Sequence, residues 1–420
     1  MHNGGIGGFS KCKKAAMAFA LLIFISVAAF GVYKVSGMIL ENILPESENS
    51  ASAKGNVSAA SKKSSEKVSG TGELSSAESN VSSEYDEVAD KKLKSMTIRE
   101  KVGQVFIFEC PDSGAVKAVE DYGPCGYCFS ANDFKNKSAE DVKKMLASYQ
   151  SASKIKMDLC CDEEGGTVVR ISGFSALSSE KFKSPQEVYK SGGMDAVKSD
   201  TVKKARLLKS LGINMDLAPV CDVSTNTSDF IYARSFGKNA ESTSEFVKVS
   251  VKAYGSEKVS CVLKHFPGYG SNGDTHKKIV YDSRSLDTFE KSDFLPFIAG
   301  INAGAPCVMV SHNIVKSMDA AYPASLSSKV HKILRQKLGF DGVIMTDDLS
   351  MGAVTKYEQG KSACVDAFNA GNDIILTGGN VPENFNAVYS AVKSGKISEK
   401  RLDESVKRIL IWKYEMDIIK

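Results

Sequence analysis

Two polar segments of the chain carry residue types that could perform acid/base and nucleophilic chemistry. Asp274 and His276 are two positions apart in a loop rich in Gly, Ser and Asn, where a carboxylate could orient an imidazole and stabilise its charge. Asp347 follows a short apolar segment and could act as a nucleophile. A retaining glycosidase needs an acid/base and a nucleophile, and a histidine with a reference pKa of about 6.5 could replace the usual second carboxylate.

Both segments follow short apolar runs of strand composition, and similar runs recur along the chain. Eight are predicted as strands, namely Val105–Phe108, Gly126–Phe129, Met157–Cys161, Asn214–Leu217, Cys261–Lys264, Val308–Ser311, Val343–Thr346 and Asp373–Leu376. Helical patterns lie between most of them, for example at Ala139–Gln150 and Ser327–Leu338, and Ser398–Trp412 is predicted as a closing helix. This alternation predicts an α/β fold of the (β/α)8 TIM-barrel type, in which polar residues at the strand exits share one face.

Six short motifs carry a resemblance to a known family. They are Asp162–Arg170 (Asp-Glu-Glu-Gly-Gly-Thr-Val-Val-Arg), Asp216–Val220 (Asp-Leu-Ala-Pro-Val), Arg234–Gly237 (Arg-Ser-Phe-Gly), Lys264–Gly268 (Lys-His-Phe-Pro-Gly), Asp274–His276 (Asp-Thr-His) and Thr346–Leu349 (Thr-Asp-Asp-Leu). In type and order they resemble the bacterial β-N-acetylglucosaminidases of glycoside hydrolase family 3. The resemblance extends from about residue 90 to the C-terminus.

The resemblance implies roles for residues within these motifs. Asp274 and His276 would form the acid/base dyad and Asp347 would be the nucleophile, while Asp348 is better explained as a carboxylate that braces the loop. The residues implied to bind the sugar are Asp162, Arg170, Arg234, Lys264 and His265. A structural ion-pair network among these five is the competing interpretation, and the two roles can coexist. The resemblance implies that the reaction requires no metal and no organic cofactor.

The resemblance implies an exo-glycosidase that removes terminal β-linked N-acetylglucosamine through a glycosyl-Asp347 intermediate. The implied substrates are N-acetylglucosamine-containing oligosaccharides or muropeptides derived from peptidoglycan. One alternative is a β-glucosidase of the same family, although those enzymes typically carry Ser-Asp-Trp at the nucleophile and an acid/base from a further C-terminal domain. Here Asp348 stands in the tryptophan's place and the chain ends with the predicted barrel. The other alternative, a non-catalytic wall-binding module on the barrel, would be indicated by loss of the dyad or the nucleophile.

The chain departs from the family pattern in three places. Tyr269 replaces a histidine, Thr167 replaces an arginine, and the loop from Gly268 to His276 is one residue shorter. The dyad is retained, so the expected chemistry is unchanged, but the leaving-group preference stays open because this loop borders that side. Two other parts of the sequence are given structural roles. Gly165-Gly166 is predicted to form a tight turn, and His312 could brace the base of the site.

Residues 1–40 are predicted to form a cytoplasmic stub and a membrane anchor. Lys11, Lys13 and Lys14 precede an apolar run over Ala15–Tyr33, and ~19 helical residues span roughly 28 Å, close to the thickness of a bilayer core. The positive charge before the run predicts that the N-terminus stays in the cytoplasm and that the catalytic domain is extracellular. A cleaved signal peptide, with Ser26-Val27-Ala28 as the cleavage site, is the alternative and would give a secreted enzyme.

Residues 41–90 are predicted to form a flexible linker and residues 91–420 the barrel domain. The linker consists mainly of Ser, Ala, Lys, Glu, Asn and Gly, with few apolar residues to bury.

The net charge of the chain bears on whether it binds nucleic acid, and its cysteines bear on whether it contains disulfides. The chain has 54 Lys and Arg against 50 Asp and Glu, a net charge of +4, which gives no electrostatic case for binding nucleic acid. The ten cysteines include Cys125, Cys128 and the adjacent Cys160-Cys161. Most lie at apolar strand positions, so free buried thiols are predicted, with disulfides as the main alternative in an extracellular protein.

Overall fold

The computed structural model describes residues 74–358 and 362–420. The predicted membrane anchor at 1–40 and the predicted linker as far as residue 73 lie outside these ranges. Within them, no helix combines the length and the apolar character needed to cross a bilayer.

Strands in the described part of the chain form one large sheet and one small one. Their bounds are β1 Phe106–Glu109, β2 Gly126–Phe129, β3 Asp158–Cys161, β4 Met215–Asp216, β5 Ser260–Phe266, β6 Tyr281–Asp282, β7 Cys307–Val310, β8 Ile314–Val315, β9 Val343–Thr346 and β10 Ile375–Thr377. Eight of them pair in the order β10-β1-β2-β3-β4-β5-β7-β9, always parallel, and β6 pairs with β8. These eight are the predicted strands, with bounds that differ by at most two residues.

The large sheet curls into a nearly closed barrel. Met345 in β9 and Ile374, the residue before β10, form a parallel bridge between the two ends of the strand order. The Thr346 N–H donates to the Ile374 carbonyl at 3.1 Å across the same gap. The structure therefore confirms the predicted α/β fold, with eight parallel strands in a nearly closed barrel.

Helices surround the barrel and connect its strands. Their bounds are α1 Leu74–Ser95, α2 Ile98–Gln104, α3 Ala115–Tyr122, α4 Ala131–Phe134, α5 Ala139–Ala152, α6 Pro185–Leu211, α7 Ala240–Ser256, α8 Leu286–Thr288, α9 Phe294–Asn302, α10 Ser328–Lys332, α11 Gly352–Glu358, α12 Ala363–Ala370, α13 Val381–Lys393 and α14 Glu399–Glu415. Several begin at a capping box that the sequence carries; at α5 the Ser138 hydroxyl accepts from the Asp141 N–H while the Asp141 carboxylate accepts from the Ser138 N–H.

Helix α1 occupies the last part of the segment predicted as linker at 41–90. The Tyr85 ring stacks on Tyr414 of α14, with centroids 6.3 Å apart, and Lys407 of α14 pairs with Asp90 at 3.0 Å. The segment is poor in apolar residues, but those it has near its end pack against the closing helix. The folded unit therefore begins before the predicted boundary at residue 91.

The cysteines of the described ranges are all free thiols. Seven of these nine are buried, and Cys110 and Cys128 are partly exposed. The seven buried thiols pack in the strands and in the shell around them, as predicted, and no disulfide joins any of these nine residues.

Candidate active site

The side chains predicted to carry function gather at the carboxyl ends of the barrel strands. Asp162 follows β3, Lys264 and His265 lie near the end of β5, and Asp347 follows β9. Arg234 lies in the long connection between β4 and α7. Because parallel strands end at the same face of a barrel, residues far apart in sequence come together here.

A network of ion pairs joins four of the predicted sugar-binding residues. Lys264 Nζ donates to Asp162 Oδ1 at 2.6 Å, and Arg170 Nη2 donates to Asp162 Oδ2 at 3.0 Å. Glu164 connects this pair to Arg234, since its Oε1 lies 2.6 Å from Lys264 Nζ and it accepts bonds of 2.9 and 2.6 Å from Arg234. The sequence predicts no role for Glu164, although this residue lies within the motif Asp162–Arg170.

Burial divides this network into an inner and an outer part. The side chains of Lys264 and Glu164 are each 2% exposed, whereas Asp162 is 22% exposed. Burial raises the pKa of Glu164, but Lys264 and Arg234 outweigh it and hold that pKa well below the usual range. Burial lowers the pKa of Lys264, yet Asp162 and Glu164 keep it above its ordinary value. The inner charges therefore hold the site together, and Asp162 with its partner Arg170 presents polar atoms to the opening.

The turn that carries these residues depends on glycine. Gly165 has a φ of 97°, a conformation that strains other residues, and a Cβ there would lie 2.2 Å from the Lys183 carbonyl oxygen. Beside it, the buried Glu163 carboxylate accepts the backbone N–H of Arg170 at 2.8 Å. The tight turn predicted at Gly165-Gly166 is confirmed, and it places Arg170 next to Asp162.

His265 is oriented by a residue that the sequence did not single out. Its Nδ1 lies 2.8 Å from Asp222 Oδ2, and its Nε2 lies 3.2 Å from Arg234 Nη2. A guanidinium can only donate, so Nε2 accepts and Nδ1 donates its proton to the carboxylate. Asp222 therefore selects the tautomer and ring orientation of His265. It follows the Asp216–Val220 motif but has no local pattern of its own.

Asp347 and Asp348 are adjacent but differ in their surroundings. Both oxygens of Asp348 are bonded: Oδ1 accepts from the Ser350 N–H at 2.9 Å and Oδ2 from the Ser350 hydroxyl at 2.5 Å. Asp347 Oδ1 accepts from the Asp348 N–H at 2.9 Å, and the hydrogen bonds found in the described ranges leave its Oδ2 unoccupied. This arrangement suits a bracing role for Asp348 and leaves Asp347 available to a ligand.

Electrostatics keep Asp347 ionised. Burial raises the pKa of its carboxyl, but the basic side chains nearby and the Asp348 N–H outweigh burial and bring the pKa below its usual range. The buried His312 supports the same turn, because its Nε2 lies 2.9 Å from the Asp348 carbonyl oxygen and its Nδ1 lies 2.8 Å from the Ser325 hydroxyl. A carbonyl only accepts, so Nε2 carries the proton there. An ionised carboxylate with a free oxygen is the form that a nucleophile requires.

Asp274 and His276 form a hydrogen-bonded pair on the loop after β5. Asp274 Oδ1 lies 2.7 Å from His276 Nδ1 and accepts the His276 backbone N–H at 2.9 Å. Burial raises the pKa of Asp274, but its bonds with His276 outweigh this and lower it. The imidazole is 56% exposed, so its Nε2 edge can reach a bound molecule. The pair has the geometry of a proton-transfer dyad.

The acidic side chains at this face lie beside basic ones. Across residues 74–358 and 362–420, no group of three or more His, Cys, Asp or Glu side chains is placed to hold a metal ion. The carboxylates at the strand ends are instead paired with Lys264, Arg170 and Arg234.

A family model and a curated relative both match this chain over a large part of its length. Residues 97–411 match the model of the glycosyl hydrolase family 3 N terminal domain. A protein named beta-hexosaminidase from Xanthomonas oryzae pv. oryzae is 32% identical over 244 residues, which are 57% of this chain and 72% of that protein.

Solved structures agree with this match. The structure of a family 3 beta-N-acetylglucosaminidase from a Paenibacillus species has a TM-score of 0.71 at 28% identity, and the match covers 77% of this chain and 63% of that one. This chain thus spans less than two thirds of that protein's length. The structure of a family 3 glycosyl hydrolase from Mycobacterium smegmatis has a TM-score of 0.69 at 27% identity, covering 76% of this chain and 98% of that one.

Proposed function

This chain belongs to glycosyl hydrolase family 3, and from that premise we propose that it is a retaining exo-glycosidase that removes terminal β-linked N-acetylglucosamine. The observation that carries the proposal is the Asp274–His276 pair, an exposed imidazole bonded to a carboxylate at 2.7 Å on a loop beside the strand ends. The names of the Xanthomonas and Paenibacillus relatives support the choice of sugar. Asp347, ionised and with one free oxygen, supplies the nucleophile.

The first half of the reaction forms a glycosyl-enzyme. The polar edges of Asp162 and Arg170 hydrogen-bond the terminal sugar and hold its anomeric carbon near Asp347, while His265, bonded to Asp222 and Arg234, braces the side chains around them. Asp347 Oδ2 forms a bond to that carbon as the bond to the glycosidic oxygen breaks. His276 Nε2 gives its proton to the departing oxygen, and Asp274 steadies the imidazole through Nδ1.

The second half releases the sugar. His276, now neutral at Nε2, removes a proton from a water molecule whose oxygen bonds to the anomeric carbon. The ester bond to Asp347 breaks and the carboxylate is restored. Two displacements at one carbon retain the β configuration, so the first-formed product should be the β anomer.

The substrate source and the location belong to the same proposal. Terminal N-acetylglucosamine on peptidoglycan-derived fragments fits an enzyme whose catalytic domain is held outside the cytoplasm by the apolar run at Ala15–Tyr33. Protease added to intact cells should then release activity from the membrane fraction. Activity that stays in the cytosolic fraction would contradict this location.

The test compares two aryl glycosides with the full chain. Turnover of an aryl β-N-acetylglucosaminide well above that of the matching β-glucoside supports the proposal. The reverse preference would favour the β-glucosidase, and no turnover of either would favour a binding module. The mechanism is tested with a fluorinated N-acetylglucosaminyl inactivator, which should label Asp347. Asp347→Asn should abolish turnover, with Asp348→Asn as the neighbouring comparison, and a label on Asp348 would overturn the assignment.

A further inference from the structure

The loop that carries the dyad has one buried side chain between Ser271 and Lys278. Around it Ser271, His276 and Lys277 are exposed, whereas Thr275 is 0% exposed. Thr275 Oγ1 lies 2.5 Å from the Tyr269 hydroxyl. Since Thr275 stands between the two members of the dyad, its position decides where both are held.

A second contact joins this loop to the segment that follows the nucleophile. The Thr275 carbonyl accepts the Ala353 N–H and the His276 carbonyl accepts the Gly352 N–H, each at 3.1 Å. A Cβ on Gly352 would lie 2.7 Å from the His276 carbonyl oxygen, so the two backbones touch. These bonds involve main-chain atoms only. Side chains also hold the loop on either side of the dyad, where Asn272 donates to Asp282 Oδ2 at 2.7 Å and Lys356 donates to the Lys277 carbonyl at 2.6 Å. The Tyr269–Thr275 pair is the side-chain contact made between the two members of the dyad.

Tyr269 also touches the sugar-binding side of the site. It is buried, its N–H donates to Asp222 Oδ1 at 2.7 Å, and its ring meets the His265 ring edge-on with centroids 5.1 Å apart. Asp222 is the carboxylate that orients His265. Tyr269 therefore links the His265–Asp222 pair to the loop that carries the dyad.

We infer that Tyr269 is a positioning residue for the Asp274–His276 dyad, acting through its hydroxyl bond to Thr275. The inference rests on the proposed acid/base role of His276. Reactions of this kind are sensitive to placement, and a shift of about 1 Å can cost about 10²-fold in rate. The hydroxyl is neutral throughout the working range, because burial, with the Asp347 carboxylate nearby, raises its pKa above the ordinary value. The hydrogen bond between Tyr269 and Thr275 therefore does not change with pH.

The experiment uses two variants that each remove one side of the bond, Tyr269→Phe and Thr275→Val, and the double variant. Values of kcat/KM are measured with a β-linked N-acetylglucosaminyl disaccharide and with an activated aryl N-acetylglucosaminide. The disaccharide needs a proton on its leaving oxygen, whereas the activated substrate hardly does. Each single variant should lose about tenfold or more on the disaccharide and at most about twofold on the aryl substrate.

The double variant shows whether the two single variants break the same hydrogen bond or act independently. If Tyr269 acts through Thr275, the double variant should lose no more than the worse single one. Tyr127→Phe is the matched control, because it removes another buried tyrosine hydroxyl, bonded to the Ala115 carbonyl at 2.8 Å. This variant should leave the ratio of the kcat/KM values for the disaccharide and the aryl substrate unchanged. If Tyr269→Phe fails to fold, Thr275→Val alone tests the same bond.

The outcomes distinguish this inference from the proposed function. Equal losses on both substrates, no loss, or additive losses in the double variant would overturn the role of Tyr269. His276→Ala is run in parallel: if it too shows equal losses on both substrates, the acid/base assignment itself fails. If the wild-type chain prefers glucosides, cellobiose and an activated aryl glucoside replace the two substrates and the same comparison applies.

Discussion

Replacing Glu164 by Gln tests the charged network beneath the proposed sugar site. The change keeps the size of the side chain and removes one negative charge. Glu164 Oε1 lies 2.6 Å from Lys264 Nζ, and the two side chains are each 2% exposed. Arg234 donates two further bonds to the same carboxylate. A neutral amide leaves the buried Lys264 and the partly buried Arg234 with too little negative charge, and its NH₂ group faces donors.

Removing one partner of a buried, hydrogen-bonded ion pair costs about 3–5 kcal/mol, and we expect a loss of that size in the free energy of unfolding at pH 7. The KM should rise as well, because Lys264 and Arg234 would repel each other and move. The assay is urea unfolding followed by far-UV circular dichroism. Glu245→Gln is the control: it breaks a pair with Lys248 whose side chains are about half exposed, and such pairs contribute about 0–1 kcal/mol.

The pH dependence gives a second check on the same residue. Burial raises the pKa of Glu164, but Lys264 and Arg234 outweigh it, so the folded-state pKa is below the unfolded-state value. Its stabilising effect is therefore full above the unfolded pKa of about 4.3 and is lost as the pH falls through the lower folded pKa. The difference between wild type and Glu164→Gln should shrink below about pH 4. A loss under about 1 kcal/mol at pH 7, or a difference that does not change with pH, would refute the reasoning.

Three further predictions follow from the site and the fold. His276→Ala should lower kcat/KM for a disaccharide by about 10²–10⁴-fold and for an activated aryl glycoside much less, and equal losses would remove it from the acid/base role. Asp222→Asn should raise KM, because His265 loses the carboxylate that orients it, and an unchanged KM would contradict this. A chain that begins at Lys91 should melt at a lower temperature than one that begins at Leu74, because it lacks residues 74–90 of helix α1 and with them the contacts of Tyr85 and Asp90 with α14; equal melting temperatures would show that this part of α1 adds no stability.

The strands and the location of the site could be predicted because their signals are local. A buried parallel strand is a short apolar run, and the residue types that end it are visible in the sequence. This is why Val343–Thr346 was predicted with its observed bounds and why Asp347 was expected at a strand exit. The pairing of Asp274 with His276 was equally local, since the two are separated by one residue.

Helix α1 shows where such local signals end. Its composition predicts a flexible linker, because few of its residues are apolar. Its order comes from a partner at the other end of the chain, the Tyr414 ring and the Lys407 ammonium of α14. The apolar pattern of α14 predicts a helix, but it does not show that a segment more than 300 residues away packs against it.

The sequence alone determined the residue types of the reaction, the strands that carry them and the motifs that indicate the family. Only the tertiary structure decided which of them touch: Glu164 between Lys264 and Arg234, Asp222 beneath His265, and Tyr269 against Thr275. The physical reason is that hydrogen bonds and ion pairs act over about 3 Å, and barrel closure brings those atoms that close from positions far apart in the chain.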